Sequence, residues 1–162
     1  MLTEHFAIEE FEKDGPVPEA CVQVLTELCS LILEPVHARF GTVNITSGYR
    51  PPIANAEAHG QPNSEHIYTP RWCAADFICS EEPIQRGVFD WMRENPILPY
   101  HQLILEHSAK GSSIVHVSIN KGLPGIRSVL EGATHNAEPY IKVDHVAYEP
   151  VQPAELNLQG DA

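Results

Sequence analysis

Apolar positions along the chain fall into short runs of different period. Cys21, Leu25, Leu28, Cys29, Ile32 and Val36 recur at helical spacing, so they form one stripe and predict a helix. Pro18 suits the first turn of that helix. Pro35 lacks a donor and clashes one turn back, so it should kink or end the helix. Val43-Asn44-Ile45-Thr46 alternates and predicts a short strand. Residues 51–72 are rich in Pro, Gly, Asn, His and Ser without any period, which predicts a long functional loop. Ala74 to Cys79 predicts a second strand. Ser80 is placed to cap a helix in which Ile84, Val88, Trp91 and Met92 share a face. Gln102–Glu106 and Ile114–Ile119 predict two strands, and Lys110-Gly111-Ser112 between them predicts a hairpin. Further strands are expected near Arg127–Leu130 and Tyr140–Val143, and the end of the chain reads as a polar tail.

Helices and hairpin-linked strands without a βαβαβ rhythm argue for an α+β fold, a small antiparallel sheet with helices packed on one side. The expected organisation is one domain over 1–150 and a polar tail over 151–162. A chain of 162 residues buries roughly 70% of its unfolded surface, enough for a core without staples.

Composition narrows the partners. Apolar residues make up 43% and charged residues 20%, as in a globular protein. Ten basic and 22 acidic residues give a net charge of −12, and the basic ones are scattered. Such a chain repels phosphate backbones, so nucleic acid is excluded as an expected partner. No apolar run approaches the roughly 18 residues of a membrane span. The opening Met1-Leu2-Thr3-Glu4-His5-Phe6 has neither a basic n-region nor an apolar h-region, so a cytoplasmic product without a signal peptide is expected. None of the four cysteines forms a C-x-x-C pair; Cys21 and Cys29 sit in the helical stripe as small buried hydrophobes, their thiols reduced. Histidine is the unusual figure, with nine in the chain.

Three segments concentrate side chains of metal-binding type: Ser64-Glu65-His66, Ala75-Asp76-Phe77 and Val115-His116-Val117. Two imidazoles and a carboxylate suit zinc, with a fourth position open for water whose pKa falls to near 7. Glu106 lies on the strand expected to pair with that of His116. An even register sum would put both on one face of the hairpin, with Glu106 over the metal site as a base; an odd sum or a bulge would separate them. A histidine in a strand is more often an ordinary packed or surface residue, so the spacing alone does not make a site.

The motifs occur in a recognisable order: Ile45-Thr46-Ser47-Gly48-Tyr49-Arg50, then Asn55, then Gly60-Gln61-Pro62-Asn63-Ser64-Glu65-His66, then Ala74-Ala75-Asp76, then Val115-His116-Val117-Ser118. This order resembles the zinc D-Ala-D-Ala carboxypeptidase family of peptidoglycan peptidases, whose fold is shared with the hedgehog signalling domain. The lead-in Leu2-Thr3-Glu4-His5-Phe6 and Leu33-Glu34-Pro35-Val36 are also similar, so the likeness covers residues 2–130. It implies that His66, Asp76 and His116 ligate zinc and that Glu106 is the general base. It implies that Arg50 holds a substrate carboxylate or polarises the scissile carbonyl, where a guanidinium fork suits the charge. Ser64 would support the site and contact substrate.

The resemblance departs in one place. Nine residues, Ile67 to Ala75, separate His66 from Asp76, roughly three more than in the family, an excess a loop absorbs at small entropic expense. The insertion Tyr68-Thr69-Pro70-Arg71-Trp72 is expected to line the pocket through Trp72, and Glu65, His59 and Cys73 stay open as substitute ligands. The expectation is a monomeric zinc peptidase acting on the stem peptides of peptidoglycan. Without a signal or a wall-binding domain it resembles a phage or prophage lytic enzyme, reaching the wall after release or as part of a virion. The alternative is a non-catalytic zinc-binding or structural module of the same fold.

Overall fold

The computed structural model describes residues 1–82, 84–133 and 141–147. The apolar stripe forms the helix that its period predicts, and every stripe residue is buried. Pro35 does not end it. The backbone runs through α1 (Val22–Leu28), a wider π-helical turn (Cys29–Leu33) and α2 (Glu34–Phe40). In the wide turn Glu34 donates its N–H to the Cys29 carbonyl, five residues back, immediately before the proline. The register of the ladder thus shifts where Pro35 has no donor to give, and Pro35 then occupies the first turn of α2.

Among the described residues six strands form one mixed sheet in the order β1-β2-β4-β3-β5-β6. They are β1 (Val43–Ser47), β2 (Trp72–Cys79), β3 (Gln102–His107), β4 (Ser113–Asn120), β5 (Ile126–Ala133) and β6 (Ile141–Ala147). The β3–β4 hairpin is as expected. The fold is α+β, but the sheet is not wholly antiparallel: β5 lies parallel to β3. A parallel neighbour requires a crossing connection, and the local period of β5 carries no sign of that. Tyr140 and the tail 151–162 lie outside the described residues.

Two helices differ from expectation. Part of the aperiodic loop forms α3 (Pro52–Glu57), begun by a proline at its first position. After β2 the helix is α4 (Gln85–Glu94), with Ile84 at its N-cap. Ser80 instead accepts a hydrogen bond from the Asn44 side chain. Gln85 ties the start of α4 to Cys79, accepting from its N–H at 2.8 Å and donating to its carbonyl at 3.2 Å. Val88 and Met92 are buried as predicted and Trp91 packs against the core, whereas Ile84 is exposed.

Parity divides the sheet into two faces. Cys73, Ala75 and Phe77 of β2, Leu103 and Leu105 of β3, and Val115, Val117 and Ile119 of β4 all join the core with the helices. The even positions point the other way. Contrary to the expectation that no apolar run approaches a membrane span, the helical run Glu19–Phe40 is long and apolar enough for one by length and composition, with a mean hydropathy of 1.2. Its apolar face (Val24, Leu25, Leu28, Ile32, Leu33) is part of this same core.

Candidate metal centre

The site lies on the even face. Register pairs Asp76 of β2 with His116 of β4, His116 with Ile104 of β3, and Ile104 with Leu130 of β5, so one row crosses four strands. Glu106 pairs with Ile114, one pleat along from this row. The register sum is even, and Glu106 and His116 share the face and the cavity.

His66 reaches the row from the loop before β2, and Gly48 holds it there. The Gly48 carbonyl lies 2.7 Å from His66 Nδ1. A Cβ on Gly48 would stand 2.5 Å from the Phe11 Cα, so only glycine permits this approach. Arg50 N–H donates to the His66 carbonyl at 2.9 Å, and the His66 N–H donates to Ser64 Oγ at 3.2 Å.

Three ligating atoms converge. His66 Nε2 lies 3.1 Å from Asp76 Oδ1 and 3.2 Å from His116 Nδ1, and His116 Nδ1 lies 2.8 Å from Asp76 Oδ1. All three residues are buried. Ligands at zinc distances in a tetrahedron stand about 3.3 Å apart, close to these edges. The far nitrogens fix both tautomers. A carbonyl oxygen only accepts, so His66 Nδ1 is the protonated nitrogen and donates to Gly48. His116 Nε2 likewise donates to Gln102 Oε1 at 3.2 Å. Nε2 of His66 and Nδ1 of His116 therefore present lone pairs toward a carboxylate oxygen. Three acceptors facing one another call for positive charge, and the donor set fits a divalent metal.

When protons rather than a cation lie between these atoms, burial pushes the Asp76 carboxyl up, but the His66 charge and hydrogen bonds from both imidazoles outweigh it and hold Asp76 well below the carboxylate range. Burial pushes His116 down, but the hydrogen bond and charge of Asp76, with Glu106 and Glu65 adding, hold it above its ordinary value. Arg50 donates to the outer Asp76 oxygen, Oδ2, at 3.3 Å and to Ser47 Oγ at 3.1 Å. It thus braces the carboxylate ligand as well as facing the cavity.

This cavity, of about 770 Å³, is lined by the three converging residues together with Arg50, Ser64, Gln102 and Glu106. Trp72 is not in its lining. The insertion folds as a tight turn closed by a Thr69–Trp72 bridge. The Trp72 indole donates back to the Ile67 carbonyl at 3.1 Å, and Tyr68 is buried with its hydroxyl on the Ala74 carbonyl at 2.7 Å. The insertion is a turn that leads into the start of β2 at Trp72, outside the cavity lining, so pocket-lining by Trp72 does not hold. Nor do the substitute ligands join the triangle. Cys73 faces the helices, donating to the Val24 carbonyl. Glu65 turns to His101 and Asn120. His59 stands at the cavity rim, apart from the converging group.

Sequence reasoning missed Gln102 and the Gly48 carbonyl as the groups that set the tautomers. Gln102 shares parity with Ile104 and Glu106, which was the available signal.

A family model described as peptidase M15 matches residues 4–117. No curated protein and no solved structure matches the chain. The matched span runs from the N-terminal lead-in to Val117, just past His116, and takes in each converging ligand, the Arg50 loop and Glu106. The chain therefore belongs to the peptidase M15 family, the zinc D-Ala-D-Ala carboxypeptidase-like peptidases, and at that level it is a metallopeptidase.

Proposed function

We propose that this protein is a zinc-dependent peptidase that hydrolyses peptide bonds of peptidoglycan stem peptides at a D-amino acid, as a wall-lytic enzyme of phage or prophage type. The observation that carries the reading is the convergence of three lone-pair donors in one open cavity whose lining also includes Glu106. A zinc ion bound there supplies Lewis acidity and an activated water. Glu106 takes the proton from the attacking water and delivers it to the leaving nitrogen. Arg50 holds Asp76 and offers its remaining N–H groups to the developing oxyanion. Ser64 keeps the backbone of His66 in place.

The substrate class is supported by the family's chemistry and by the open cavity of about 770 Å³ over the three converging residues. The route to the wall is part of the same proposal: synthesis in the cytoplasm, then release by lysis or delivery in a virion, since a chain of charge −12 is not drawn to anionic wall polymers. Incubation of the zinc-loaded protein with purified peptidoglycan, followed by mass spectrometry of new termini, tests the reading. New termini beside a D-residue support it and tell a carboxypeptidase from an endopeptidase. No new termini, with zinc bound, would favour the non-catalytic module.

A further inference from the structure

We infer that His59 is a specificity residue whose imidazole pairs with a carboxylate of the stem peptide at the cavity rim; this rests on the peptidoglycan reading above. His59 has φ +56°, and it is the sole non-glycine with positive φ among the described residues. It follows the end of α3, with its N–H on the Ala56 carbonyl at 3.0 Å. Glycine is the favoured residue at such a helix exit. Glycine is present one position later and is needed there, because a Cβ on Gly60 would meet the Asn55 side chain at 2.2 Å. Buried Asn55 pins the turn: its backbone carbonyl accepts from the Gly60 N–H at 2.8 Å and its side-chain Nδ2 donates to the Gln61 carbonyl at 2.8 Å.

The His59 ring is thus carried on a fixed turn, exposed, with no hydrogen-bond partner among the described residues. Nothing in the packing explains a strained histidine there, which directs attention to a ligand. Four basic side chains line the cavity: Arg50, His59, His66 and His116. Arg50 is engaged by Asp76 and Ser47, and the other two histidines converge on the metal position. Glu106 repels an incoming carboxylate. With Arg50 committed to Asp76, Ser47 and the oxyanion position, His59 is the remaining basic group of this lining able to receive one, and stem peptides carry carboxylates beyond the bond that is cut.

The test uses the zinc-loaded full chain and a soluble stem peptide, with free carboxylates or with the same groups as carboxamides. Ring C–H resonances are followed by NMR, His59 being assigned from its loss in His59→Asn. The free-carboxylate peptide should shift the His59 resonance and the carboxamide should not. KM for the carboxylate peptide should rise roughly tenfold in His59→Asn and His59→Gly, the scale of one charge-assisted hydrogen bond. The carboxamide peptide should show no such rise, kcat should change little, and His59→Lys should restore KM. His59→Gly should unfold no more readily than wild type, which separates ligand binding from a structural role. An unmoved His59 resonance, or an equal KM rise for both peptides, overturns the inference. A shifted resonance without cleavage supports it and defeats the hydrolytic reading; no binding at all defeats both.

Discussion

Among single residues, the chemistry depends on which nitrogen carries a proton. The Gly48 carbonyl and Gln102 Oε1 accept from the far nitrogen of each imidazole and so leave the lone pair of the near nitrogen for a metal. Gln102→Leu should weaken zinc binding about 10- to 100-fold, as loss of an outer partner does in metal sites, measured by competition with a chromophoric chelator; unchanged affinity would show that Gln102 does not orient His116. Glu106→Gln should keep zinc while hydrolysis falls about 10²- to 10⁴-fold. That His66, Asp76 and His116 come together, with Glu106 in the same cavity, was legible in the sequence through the order of motifs that carries the family resemblance. The Glu106–His116 parity held because the hairpin register is regular. Gln102 was not legible, since its role depends on a tautomer set across the sheet.

Among the elements, local period read the long helix, β1, β2 and the β3–β4 hairpin. It failed where the cause is non-local or short. The π-helical turn before Pro35 preserves a helix that the proline alone should have broken. α3 is too short to show a period, and the parallel placement of β5 is decided by packing. The sequence predicts the insertion after His66 as pocket wall, but Tyr68 turns into the core and fixes it as a turn leading into β2. Tyr68→Phe should therefore destabilise the protein by about 1–3 kcal/mol, because the Ala74 carbonyl loses its buried donor; urea unfolding measures this. A variant as stable as wild type would mean the insertion is not anchored there.

Across the whole molecule, one sheet serves two purposes, a helix-covered face for stability and an open face for chemistry. All four cysteines lie buried. Burial, with Glu81 and Glu82 adding, pushes the Cys79 thiol up to about 12, and burial raises Cys21, Cys29 and Cys73 as well. Since the thiolate is the reactive form, the native protein should resist a thiol reagent at pH 8 and titrate fully once denatured. Fast labelling of the native protein would contradict this packing. The central claim is that His66, Asp76 and His116 form a metal centre, and the most direct measurement is the metal content of protein purified after zinc-replete expression. The wild type should hold about one zinc per chain, and His66→Ala and His116→Ala should each lose it together with part of their thermal stability. Wild-type protein without stoichiometric zinc, or an alanine variant that retains it, would contradict the account.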